Sequence, residues 1–115
     1  MISRTRIALT ICLVALLGLA ALGATAAARD STTIKVGDDF FSPDRKTVSA
    51  GTKVRFKWVG SDEHNVVKAK GPGSGFESGT TDAGGVNFKK KFKKRGNYKI
   101  ICTIHDEMKL SLKVN

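Results

Sequence analysis

Apolar and polar residues alternate in short runs along most of the chain, and the runs end at glycine, proline or charged turns. The clearest covers 52–59, where Val54, Phe56 and Trp58 share one parity and Lys53, Arg55 and Lys57 the other. Successive side chains of a strand point to opposite faces, so this pattern predicts a half-buried strand. Leu110, Leu112 and Val114 alternate as cleanly over 110–114, and Tyr98, Ile100 and Cys102 share a face over 98–102. Weaker strand signals cover 32–36, 47–49, 65–67 and 86–92, the last with Val86, Phe88 and Phe92 on one parity. Residues 71–85 hold six glycines and one proline and predict a long loop, and 93–97 predict a turn. No amphipathic helix, internal repeat or second domain is visible after Arg29. About seven short strands in so short a stretch predict an all-β fold, a β-sandwich.

The N-terminus follows a different pattern. Arg4 and Arg6 precede an apolar run from Ile7 to Leu22, and small residues follow as Gly23-Ala24-Thr25-Ala26-Ala27-Ala28. This order predicts a secretory signal peptide over 1–28, cut after Ala26 or Ala28, with one domain over 29–115. An uncleaved anchor is the alternative, since a span needs about 20 apolar residues. Either reading places the domain outside the cytoplasm, in a periplasm, on a cell surface or in the medium.

Export makes the cysteine count informative. The chain has two cysteines, and Cys12 lies inside the apolar run. Cys102 is therefore left without an intramolecular partner where disulfides are favoured. Such a thiol can be buried and inert, can join two chains, or can be protected as a metal thiolate.

Its neighbours favour the last. Cys102, His105 and Met108 form C-x2-H-x2-M between two predicted strands, so one loop can turn a thiolate, an imidazole and a thioether toward one point. The chain's only other histidine, His64, starts a strand after a turn. Two imidazoles, one thiolate and a weak axial thioether make up the blue-copper ligand set. A Cys-His-His set can also bind zinc, but the thioether favours copper. Four protein ligands leave no open position for a substrate, which argues against catalysis.

Over nearly all of 33–114 the chain resembles the cupredoxins, most closely the plastocyanin and amicyanin branch. The resemblance rests on Phe41-Ser42-Pro43, Ala50-Gly51-Thr52-Lys53-Val54, Phe56-Lys57-Trp58, His64-Asn65-Val66, Gly96-Asn97-Tyr98 and the loop from Cys102 to Met108. The C-x2-H-x2-M spacing is similar to that of amicyanin. The resemblance implies a Greek-key β-sandwich, a copper ion cycling between Cu(I) and Cu(II), and an Asn65 that bonds across to the cysteine loop and steadies it. It departs at Leu110, where a glycine often stands, and at Asp106-Glu107, where apolar residues or proline often stand.

The implied function is one-electron transfer by a monomer, with electrons leaving through the edge of His105. The alternative is an exported protein that buffers copper or delivers it to another protein. A sandwich without metal is a third reading. The formal net charge of +10 points to acidic redox partners or to an anionic membrane or wall surface. The basic run Lys89-Lys90-Lys91-Phe92-Lys93-Lys94-Arg95 reads first as a solvated strand edge and turn, where lysine blocks edge-to-edge pairing. Export argues against nucleic acid as its partner. No catalytic triad, paired-carboxylate or nucleotide motif is present.

Overall fold

A computed structural model describes residues 30–115. The expected signal peptide lies outside the described residues. Eight strands follow in order: β1 (Ser31–Gly37), β2 (Phe40–Ser42), β3 (Arg45–Val48), β4 (Thr52–Trp58), β5 (Val67–Lys70), β6 (Gly85–Phe92), β7 (Gly96–Ile101) and β8 (Lys109–Val114). They form two four-stranded sheets, ordered β2-β1-β4-β6 and β3-β8-β7-β5. No helix occurs among the described residues. The parallel pairs β1·β4 and β3·β8 sit beside antiparallel pairs in each sheet.

The alternation read from the sequence sets which face is buried. Along β4 Val54, Phe56 and Trp58 are buried while Lys53, Arg55 and Lys57 are exposed. Ile34 and Val36 of β1 and Phe92 of β6 join them from the first sheet. Val48, Tyr98, Ile100, Leu110, Leu112 and Val114 face them from the second. Burying each such side chain contributes about 1.5–3 kcal/mol, so one core between two sheets accounts for the architecture. Phe92 and Tyr98 meet edge to face across the sheets, ring centroids 5.1 Å apart. At Gly51 the chain turns into β4 with φ at +97°, where a side chain would be strained.

The β-sandwich of about seven strands is observed with eight, the additional one being β2, which has three residues and is too short to show a period. Two expectations need correction. The strand expected at 65–67 begins instead at Val67, which pairs with Ile101. Before it, Val66 gives its N–H to the Ser78 hydroxyl, so that backbone group is not free for the ladder. Val86 does not share the buried parity of Phe92. Phe56 pairs with Phe88 but Lys57 with Val86, so Asn87 is an extra residue that reverses the parity beyond it. Val86 therefore stands on the outer side with Lys57, 42% exposed.

The loop over 71–84 is long, as expected, but it is not loose. It runs back along 64–68 and pairs with it: His64 and Thr81 exchange both backbone hydrogen bonds, Ser78 N–H donates to Val66 O, and Lys68 N–H donates to Phe76 O. Phe76 from this loop stacks on Phe88, with centroids 5.8 Å apart. The loop covers the start of β5 like a ninth edge, and this closes one side of the site described next.

Two substitutions test the reversed parity. Phe56→Ala should cost about 3–5 kcal/mol of stability in denaturant titration, as for a large core aromatic. Val86→Ala should stay within about 0.5 kcal/mol, as for a surface change. A cost at Val86 near that at Phe56 would contradict the extra-residue register.

Candidate metal centre

Two connections build the centre at one end of the sandwich. The first joins β4 to β5 and carries His64. The two backbone bonds to Thr81 fix its main chain, and Trp58 at the end of β4 donates its indole N–H to Thr81 O at 2.9 Å. Between these contacts His64 has no exposed surface. The second connection joins β7 to β8 and carries Cys102, Thr103, His105 and Met108. Cys102 N–H donates to Met108 O at 3.1 Å, which closes the loop on itself. Glu107 adopts a left-handed conformation, φ +65°, and turns the chain into β8. Cys102 and Met108 are buried, and both line one hollow with His105.

Asn65 ties the two connections together. Its Nδ2 donates to Thr103 Oγ1 at 2.8 Å, and Thr103 N–H donates to Asn65 Oδ1 at 2.8 Å. A reciprocal pair of this kind fixes both distance and angle. It sets the residue after His64 against the residue after Cys102, so the two candidate ligands are held at a defined separation.

His64 Nδ1 and His105 Nδ1 lie 3.2 Å apart, with Cys102 Sγ 3.5 Å from His105 Nδ1 and 4.0 Å from His64 Nδ1. The circle through three atoms so spaced has a radius of about 2.1 Å. That radius falls between the distances of about 2.0 Å for metal–imidazole and about 2.3 Å for metal–thiolate bonds at a comparable ion. Two imidazole nitrogens and a sulfur around one such point match the trigonal part of a blue-copper site. The donor set and its spacing therefore fit a copper ion. The four residues singled out from the sequence come to one end of the fold, and three of them present their donor atoms to a common point.

Two further residues carry no signal in the sequence beyond a charged turn. Asp38 and Asp39 form the tight connection between β1 and β2. His64 donates from Nε2 to Asp38 Oδ1 at 3.0 Å, which leaves the Nδ1 lone pair of the neutral ring aimed at the common point. Asp38 also accepts the Ser61 and Asp62 backbone N–H groups at 2.9 Å. These two bonds first, and then the His64 bond, lower its pKa from 3.8 to about 2, against a smaller upward push from desolvation. Gly60 is required here, because a Cβ on it would collide with Asp38 Oδ1. Asp39 approaches the other imidazole, its Oδ1 3.4 Å from His105 Nε2. A carboxylate oxygen thus stands behind each ring.

The centre is open on one side only. The His105 side chain is 24% exposed, whereas His64 is covered completely. The large exposed hydrophobic residues of the described chain are Phe40 and Val86, on the outer face of the first sheet towards this end, and Val59 and Ile104, in the connections. Asp39, Asp62, Asp106 and Glu107 are interspersed with them.

The plastocyanin/azurin family of copper-binding proteins matches residues 28–115. The chain belongs to that family, and its cofactor is copper. A search of curated proteins finds no match. Among solved structures, a purple cupredoxin from Nitrosopumilus maritimus is 23% identical, with a TM-score of 0.64 over 73% of this chain and 99% of its own. A copper-containing nitrite reductase from Thermus scotoductus is 26% identical, with a TM-score of 0.65 over 81% of this chain but only 24% of its own. A reduced amicyanin variant is 18% identical, with a TM-score of 0.66 over 80% and 89%. The fold is thus that of the cupredoxins, and it also occurs as part of an enzyme.

The Asp38 carboxylate predicts an acid limb of stability. A depressed carboxylate pKa contributes stability that is present above the unfolded value of 3.8 and is lost as pH falls through about 2. Asp38→Asn removes this group from the titration. The denaturant midpoint of the metal-free protein should then fall less steeply between about pH 4 and pH 2 than in the wild type. Equal slopes in the two proteins would show that Asp38 is not the group responsible.

Proposed function

We propose that the protein is a one-electron carrier in which His64, Cys102, His105 and, more weakly, Met108 hold one copper ion. The observation that carries this reading is the convergence of two Nδ1 atoms and one Sγ on a common point, with only His105 reaching the surface. Copper bound there would supply a Cu(I)/Cu(II) couple. The chain's own residues supply rigidity. His64 is gripped between Thr81 and Asp38, and Cys102 between Met108 O and the Asn65–Thr103 pair. Donor atoms held this firmly rearrange little when the charge at the centre changes, and small rearrangement means a low barrier to electron transfer. Met108 and the hydrogen bonds around the sulfur tune the potential.

Electrons pass through the exposed edge of His105. Exposed Ile104, next to His105 in the chain, and exposed Val59, just after β4, support docking at that end, since apolar groups exposed near one another mark interaction surfaces. The net positive charge by itself predicts acidic partners. Around His105, however, Asp39, Asp62, Asp106 and Glu107 make the local charge negative, so the partner surface that meets this edge is apolar with basic groups. With four protein ligands and no open position for a substrate, the domain transfers electrons and does not catalyse a reaction. We place it outside the cytoplasm, in a periplasm, on a cell surface or in the medium. Among the described residues no helix is long and apolar enough to cross a membrane.

Delivery of copper to another protein uses the same residues. The complete burial of His64 and near-complete burial of Cys102 favour retention over release. Two measurements separate the readings. Electron self-exchange should be fast, and transfer of the ion to a chelator slow; the reverse order would make the protein a copper carrier. Substitutions test the ligands themselves. Cys102→Ser should abolish the intense visible band of the oxidised protein, because the thiolate is the charge-transfer donor. Met108→Leu should retain copper and raise the reduction potential. An unchanged visible spectrum in Cys102→Ser would refute the ligand assignment.

A further inference from the structure

None of the ten acidic residues of the chain lies in a strand. Asp38, Asp39, Asp62, Glu63, Asp106 and Glu107 sit in the connections around the metal centre, and the rest in other turns. The strands are correspondingly basic, and the outer face of the first sheet concentrates this charge. Lys35 stands opposite Lys57, Arg55 opposite Lys89, and Lys53 opposite Lys91. All six are exposed. Like charges directly opposite one another on neighbouring strands repel. Here three such pairs lie within a patch of about 10 by 14 Å, from the usual strand spacing and rise. Among the described residues, none of the six takes part in an ion pair. The outer face of the second sheet is less concentrated. Lys70 opposes Lys99, but Arg45 opposes Ser111, and Lys113 opposes Thr47 and Asn97.

A face of this kind attracts anionic partners, and its composition indicates which class. Protein interfaces have aromatic residues at their centres and are depleted in lysine. The six charged residues are five lysines and one arginine, and the exposed aromatic on this face, Phe40, lies at its edge, where its ring covers Gly37. Single-stranded nucleic acid is held by stacking on a series of aromatic rings, and this face offers one at its edge. A concentrated array of exposed cations is instead complementary to an extended, densely anionic surface.

We propose that the outer face of β1, β4 and β6 docks the protein on a membrane surface rich in anionic lipid. Docked so, the protein lies on its sheet. The acidic end with His105 is then at the side, repelled by the lipid and free for a redox partner. The inference goes beyond the electron-carrier reading and does not depend on it.

The test is co-sedimentation of the purified, copper-loaded protein with phosphatidylcholine vesicles, with and without phosphatidylglycerol, across a salt series. Binding should require phosphatidylglycerol and be lost at high salt. The variant K53Q/R55Q/K89Q should bind about a hundredfold more weakly, from about a fivefold loss per cation removed. A control on the other sheet, R45Q/K99Q/K113Q, should lose far less. Unchanged thermal melting and visible spectra establish that both variants fold. Equal losses in the two variants would overturn the proposal in favour of diffuse attraction. Equal binding to vesicles without phosphatidylglycerol would overturn it in favour of the N-terminal apolar run. A wild type that ignores both vesicles but binds polyglutamate would overturn it in favour of an acidic protein. The readout is lipid association alone, so it leaves the redox assignment to be judged on its own measurements.

Discussion

The centre depends on a brace between two connections that are distant in sequence. Asn65 follows His64, Thr103 follows Cys102, and the two exchange a pair of 2.8 Å hydrogen bonds. Without that brace the β4–β5 and β7–β8 connections are separate turns at one end of a sandwich. With it, an imidazole nitrogen from one and a sulfur and a second nitrogen from the other lie within 4.0 Å of one another. Each half is also anchored from behind: His64 by Asp38 and by the long loop through Thr81, and Cys102 by the carbonyl of Met108. The core positions these anchors, because β4 and β7 enter the end of the molecule on buried Trp58 and Ile100.

Charge is distributed along the same lines. Acids are confined to connections, and most lie at the metal end, where Asp38 and Asp39 approach the ring nitrogens and Asp38 also accepts backbone N–H groups. Many of the cations occupy outward positions of the strands, most densely on β1, β4 and β6. Asp38 is the clearest case of a turn residue with a structural task, since it joins Ser61, Asp62 and His64 through one carboxylate. The net charge of the chain is therefore a poor guide to what any one part of its surface will bind.

Much of this was legible in the sequence. Strict alternation over β4 and β8 identified the buried residues, because an amphipathic strand has only two faces. The candidate ligands were legible because the chain offers so few alternatives: two histidines, and one cysteine after the apolar run. What escaped the sequence involved contacts between segments. The parity of Val86 depends on an extra residue opposite Lys57. The start of β5 depends on Ser78 occupying the Val66 N–H. The tasks of Asp38 and Asp39 depend on a tight turn of β1–β2 reaching the far side of two imidazoles, and nothing in the local pattern of that turn distinguishes it from any other.

The central claim is that one copper ion is held by one thiolate and two imidazoles from this braced pair of connections. X-ray absorption at the copper edge of the oxidised protein tests it most directly. The account predicts one copper per chain with one short sulfur neighbour and two imidazole nitrogens. A copper surrounded by nitrogen and oxygen alone, with no short sulfur, would contradict it.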